Sequence, residues 1–153
     1  MKRSDALAQL SRDHHHGLVV AQRLRRATPA TADAAREAFL VFWADEGQGH
    51  FRAEEDLLLP ALARHQPPTH DAIVRVLTDH VDVRRRAADL AADPAPTCDD
   101  LRELGDRLHA HIRHEERVLF PLIEAALATE ELAALAMALE AAHESEPSRS
   151  SSS

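Results

Sequence analysis

Apolar residues recur along this chain every three or four positions, the spacing that lines one face of an α-helix, and proline and capping residues cut the pattern into long segments. The first segment predicts a helix over Ser4 to Ala27, with Leu7, Leu10, Leu18 and Leu24 on one stripe, ending near Thr28-Pro29. The second starts after Thr31 and continues to Arg64, although Gly47 and Gly49 weaken its middle, since glycine costs about 1 kcal/mol relative to alanine inside a helix. Gln66-Pro67-Pro68-Thr69 is the next break. A third helix, His70 to Ala91, carries Ile73, Val76, Leu77, Val83, Ala87 and Leu90, and the Pro94 and Pro96 loop ends it. The fourth runs from Cys98 to Ala128. Thr129 reads as the N-cap of a short fifth helix with Leu132, Leu135, Ala136 and Leu139 on its inner face.

No segment alternates with the period of two that marks a strand, so the predicted class is all-α. Long helices joined by short connections pack as neighbouring antiparallel rods, which predicts an up-down four-helix bundle with a short fifth C-terminal helix. Residues 1–144 form the expected domain. The Ser-rich residues 145–153 read as a disordered tail.

Length and charge narrow the picture. A chain of 153 residues suits one core. With 18 Lys and Arg against 26 Asp and Glu, the net charge is -8, which argues against a nucleic-acid partner. Arg23, Arg25 and Arg26, and likewise Arg84, Arg85 and Arg86, read as solvated helix faces. The single cysteine, Cys98, lies in a loop-like stretch and has no partner for an internal disulfide, which fits a reducing compartment. Ser4, Asp5, Gln9, Ser11 and Arg12 interrupt any signal-like apolar run, and no segment is long and apolar enough to span a bilayer. A cytoplasmic protein with no membrane partner is the expectation.

Eleven histidines with no tyrosine invite a search for ligands, and an internal repeat locates them. His50-Phe-Arg-Ala-Glu-Glu-Asp-Leu-Leu-Leu-Pro60 aligns without gaps to His111-Ile-Arg-His-Glu-Glu-Arg-Val-Leu-Phe-Pro121. Asp13-His14 and Asp79-His80 lie at matching places in the preceding helices, with Leu7, Leu10, Ala21 and Leu24 answering to Ile73, Val76, Ala87 and Leu90. The chain is therefore two copies of a helical hairpin. Residues four apart stack on one helix face, so His50 sits over Glu54 and His111 over Glu115, while Glu55 and Glu116 turn away toward solvent. Framed by aliphatic residues, His14 and His80 point inward. Six ligand-capable side chains then converge from four helices.

Buried without partners, such groups would cost several kcal/mol, chiefly for the carboxylates. A metal removes that cost, and neutral imidazole with carboxylate suits iron, manganese or zinc. Two carboxylates with histidine at both ends suggest two ions a few ångströms apart.

The pattern resembles the hemerythrin HHE cation-binding family: a lone His on helices one and three, and H-x-x-x-E on helices two and four. His14, His50, Glu54, His80, His111 and Glu115 carry the resemblance, which covers about Leu7 to Ile123. It implies a non-haem di-iron centre held by those six residues and reacting with O2, peroxide or nitric oxide. A peroxide- or O2-reducing oxidoreductase with an electron-donor protein is one form this takes. The other is a non-catalytic iron or oxygen sensor, whose metal-dependent stability a partner reads. The sequence departs from the oxygen-carrying type at Val76, where that type has a further His. This implies more open positions at the metal, or recruitment of Glu46, which stacks one turn before His50.

Alternatives stay open at the edges of the pattern. His15 and His16 follow His14, and the repeat alignment favours His14. His114, three positions after His111, reads as an outer or solvated residue, and His65, His70, His109 and His143 as surface residues. Glu46 is either a solvated acid or a ligand. The zinc-protease H-E-x-x-H and the paired E-x-x-H of ferritin-like bundles are absent, and neither Cys98 nor any serine has a nucleophile context, which speaks against hydrolase chemistry.

Overall fold

The structure is a computed structural model that describes residues 3–145. Helices α1 to α5 account for nearly all of them, with no strand among the described residues. Helix α1 is Ala8–Arg25, entered through a tight turn at Asp5–Leu7 where the Ser4 hydroxyl accepts the Ala6 N–H. Helix α2 is one rod over residues 32–62, built from Ala32–Phe42, Gln48–Ala53 and Leu59–Leu62 with wide π-helical turns at Trp43–Gly47 and Glu54–Leu58. Helix α3 is Asp71–Ala92, capped by the His70 imidazole, which accepts the Ala72 N–H. Helix α4 covers residues 98–126, with a π turn at Glu115–Leu119 between Cys98–His114 and Phe120–Ala126. Helix α5 is Thr129–Ser145. The Ser-rich tail, apart from Ser145 at the end of α5, falls outside the described residues.

Two of the π turns follow from the repeat's prolines. Pro60 and Pro121 have no N–H, and each ring crowds the carbonyl four residues back. The helix widens in response: the Leu59 N–H reaches the Glu54 carbonyl and the Phe120 N–H that of Glu115, five residues back. Both widened turns begin at the glutamates singled out by the repeat. Gly47 and Gly49 do not interrupt α2.

Helix α1 packs against α2 and α4, and α3 against α2 and α4, closing a four-membered ring of rods. Buried apolar residues fall into two clusters at opposite ends. One holds Leu24, Phe39, Trp43, Phe51, Leu104 and Ile112. The other holds Leu7, Leu62, Val76, Phe120 and Ile123, closed by Leu135 and Leu139 of α5. Each such side chain contributes about 1.5–3 kcal/mol on burial, so the bundle is clamped on either side of its middle. Close approach of α1 and α4 depends on Gly105, where an added Cβ would lie 2.8 Å from both the Ala21 carbonyl oxygen and the Arg25 nitrogen.

Several local expectations change. Leu18 is only partly buried and Leu77 is exposed, because Val20, Ala21, Val76 and Val83 occupy the inward positions of their helices. Cys98 opens α4 rather than lying in a loop, since Thr97 caps the helix by accepting the Asp100 N–H at 3.0 Å. Thr129 is the first residue of α5, and Glu131 reaches back to the Ala128 N–H.

Candidate metal centre

Between the two apolar clusters lies a layer of buried polar side chains: His14 from α1, His50 and Glu54 from α2, His80 from α3, His111 and Glu115 from α4. These are the only buried polar or charged residues among the described residues, and the two glutamates are fully enclosed. All six sequence-selected residues are thus brought together. They form two overlapping groups whose ligand atoms lie within 4.8 Å of one another: His14, His50, Glu54 and Glu115, and Glu54, His80, His111 and Glu115. Glu54 and Glu115 belong to both.

The inward-facing atoms are poor partners for each other. His14 Nε2 and His50 Nε2 face at 3.1 Å, and His111 Nε2 lies 2.5 Å from Glu115 Oε1. Yet His111 Nε2, Glu54 Oε2 and both Glu115 oxygens make no hydrogen bond. Orphaned buried groups of this kind each cost about 1–3 kcal/mol, more if charged. One donor atom from each member of a group lies within 4.8 Å of the others, close enough to share a cation, and the mixed imidazole and carboxylate set suits a divalent transition metal. The residues fit the group that the sequence implies.

The outward Nδ1 atoms meet a ring of carboxylates. Asp13 of α1 lies 3.0 Å from His50 on α2, and Glu55 of α2 lies 2.6 Å from His80 on α3. Continuing round, Asp79 of α3 lies 3.1 Å from His111 on α4, and Glu116 of α4 lies 3.4 Å from His14 on α1. Three helices thus hydrogen-bond the histidine of the next, while Glu116 faces His14 Nδ1 at ion-pair distance without a hydrogen bond. A carboxylate on Nδ1 fixes the tautomer that leaves Nε2 free for a metal and raises its basicity.

This corrects the expectation that Glu55 and Glu116 face solvent. One step of 100° from a bundle-facing residue leads to the seam with the neighbouring helix, and only the next step leads outward. Arg84 is not a merely solvated arginine either: it holds Glu55 at 2.7 Å and lies over the Phe51 ring, which stacks on His80 at 3.8 Å. Arg3, Glu116, Phe120 and His14 repeat that arrangement in the other half. The sequence signal for the ring was present in the repeat, where Asp precedes His twice and a second Glu follows the first twice.

Buried charge sets the protonation of the metal-free site. Burial pushes His111 down, but the Glu115 charge and the hydrogen bond to Asp79 outweigh it and raise its pKa to about 10. His50 is likewise raised well above its ordinary value, burial being overcome by Glu54 and Asp13. Burial pushes Glu115 up, but the charge of His111 beside it outweighs burial and drives it well below the usual carboxylate range. Asp13 and Asp79 are lowered in the same way by the imidazoles they face.

The remaining candidates fall outside the layer. His15 is exposed. Glu46 pairs with His16 at the surface and belongs to neither ligand group. His114 is half-buried at the edge, its pKa lowered chiefly by burial. His65 pairs with Glu131 at 2.7 Å, and His143 is exposed. Val76 is fully buried in the apolar cluster one turn before His80. Beside His14, His50, His111 and Glu115 lies a cavity of about 20 Å³, otherwise walled mainly by Gly17, Phe42, Gly47, Leu108 and Ile112. That is room for about one water-sized molecule.

A helical bundle whose middle layer gathers histidines and glutamates in cation-binding geometry defines a class of metal-binding bundle protein. The chain belongs to the hemerythrin HHE cation-binding domain family, whose model matches residues 5–123. No curated protein and no solved structure matches the chain. Among the described residues no helix is long and apolar enough to cross a membrane.

Proposed function

We propose that the protein holds two non-haem irons and uses them to bind or reduce a small ligand: O2, peroxide or nitric oxide. The observation that carries this reading is the sharing of Glu54 and Glu115 between two four-residue ligand groups. His14 and His50 would hold one ion and His80 and His111 the other, with Glu54 and Glu115 within reach of both. Two histidines and two carboxylates per ion leave coordination positions open. When bound and reduced, such a pair would supply one electron from each ferrous ion to a small ligand.

The chain's own residues do the rest. Asp13, Glu55 and Asp79 hold the imidazoles of His50, His80 and His111 with Nε2 inward, and the Glu116 charge faces His14 Nδ1. The apolar walls at Phe42, Leu108 and Ile112 keep bulk water from the cavity beside His14 and His50, and its size restricts entry to very small molecules. The carboxylates stabilise ferric iron, because negative charge favours the higher oxidation state. This favours consumption of the ligand over its reversible carriage, and an electron-donor protein is then required for repeated turnover.

The test is to reduce the iron-loaded protein anaerobically, add a measured amount of O2, and then sparge with argon. One-way oxidation with peroxide-dependent turnover is the expected result. Return to the ferrous spectrum over many cycles would identify a carrier instead.

A further inference from the structure

A second void lies against the first. Helices α1, α2 and α5 enclose a groove of about 830 Å³ on the surface of the bundle. It shares Asp13, Glu46 and His50 with the small cavity beside the candidate centre. These three side chains are therefore the partition between bulk water and the ligand pocket. Among the cavity's walls, the Glu46 side chain is the most exposed at 35%, against 18% for Asp13, and the others are buried.

Glu46 stands on the π turn Trp43–Gly47, a kind of widened turn found often at functional sites. Its carboxylate is latched to His16 of α1, two residues past His14. His16 in turn stands edge-on to Phe42, with ring centres 5.4 Å apart, and Phe42 is itself a wall of the cavity. Asp13 hydrogen-bonds the central His50, whereas the Glu46 carboxylate pairs with His16, and Glu46 is outside both ligand groups. Its position serves the opening, where a negative charge selects against anions before they reach the pocket.

We propose that the groove is the entrance to the pocket and that Glu46, latched by His16, is its selectivity-determining residue, admitting small neutral molecules and excluding small anions. This rests on the reading that the centre binds iron and a small ligand. A fixed negative charge at a narrow, low-dielectric mouth alters the local concentration of charged species and leaves neutral ones unaffected. Rotation of Glu46 away from His16 opens the partition without disturbing the ligands.

The experiment uses the full iron-loaded chain and two probes, azide as the anion and nitric oxide as the neutral diatomic, with association followed by stopped-flow absorption. Glu46→Gln is expected to speed azide association about tenfold and to change nitric oxide association less than about twofold. Glu37→Gln, the same charge change on the exposed face of α2, is expected to alter neither. His16→Ala, which frees the latch and leaves the charge, is expected to speed nitric oxide more than azide. Raising the salt concentration is expected to narrow the azide difference between the unaltered protein and Glu46→Gln. Equal azide rates in those two overturn the proposal while leaving the iron reading intact. Loss of iron from Glu46→Gln, measured by elemental analysis on protein of unchanged helicity, overturns it in favour of ligation. A chain that takes up no iron overturns both readings.

Discussion

Glu55 Oε2 lies 2.6 Å from His80 Nδ1 across the seam between α2 and α3, so a residue adjacent in sequence to Glu54 orients a histidine 25 positions away. Asp13 and Asp79 do the same for His50 and His111, Glu116 faces His14 at a longer ion-pair distance, and the ring they form predicts a graded loss of metal. Glu55→Gln, Asp13→Asn and Asp79→Asn are each expected to weaken metal binding about 10- to 100-fold, the usual effect of removing a partner that orients a ligating histidine. Glu116→Gln is expected to do least, because its 3.4 Å separation from His14 is the longest of the four. Competition against a chelator of known affinity measures each value. Undiminished affinity in the first three would mean that the ring does not orient the ligands.

Proton release follows from the metal-free electrostatics. A metal takes neutral imidazole, whereas His111, at about 10, holds a proton at pH 8. Loading at pH 8 is therefore expected to release about one proton or more per chain, and affinity is expected to rise with pH up to about 10. Stability of the metal-free protein runs the other way. A folded-state pKa raised above the ordinary 6.5 contributes stability that is complete below that value and is lost as pH climbs through about 10. Titration calorimetry in buffers of different ionisation enthalpy gives the proton count, and the same measurement at pH 6 is expected to show weaker binding. Affinity independent of pH would contradict the protonation assigned to His111.

Gly105→Ala tests the packing separately from the metal. Its Cβ would meet backbone atoms of α1 at 2.8 Å, and backbone cannot rotate aside. Overpacking of this kind costs about 1–3 kcal/mol, outweighing the gain in helix propensity from glycine to alanine. A lowered urea midpoint for the metal-free protein is the expected outcome. A raised midpoint would show that α1 and α4 separate easily.

Much of this was legible before any coordinates. Spacing and breaks predicted the helices, the doubled H-x-R-x-E-E-x-x-L-x-P located four of the six central residues, and the paired Asp-His of the preceding helices located His14 and His80, because core-facing positions in a bundle follow directly from helical periodicity. The second ring was missed, although its residues stood in the same repeat. A helical wheel on one rod divides residues into inward and outward, whereas Glu55 and Glu116 occupy the seams that only neighbouring rods create. The π turns were missed for a related reason. Proline inside a helical pattern predicts a break or a kink, and the structure shows a widened turn in which the chain stays helical. Glu46 could not be decided from the wheel, since it shares a face with His50, and the contact with His16 on another helix draws it to the surface.

The central claim is that Glu54 and Glu115 are shared by two metal ions. Metal analysis of protein produced in iron-replete medium, with an absorption spectrum of the same sample, tests it most directly. About two irons per chain, with the near-ultraviolet bands of bridged ferric ions, is the expected result. One tightly held ion per chain, or zinc alone despite ample iron, would contradict it.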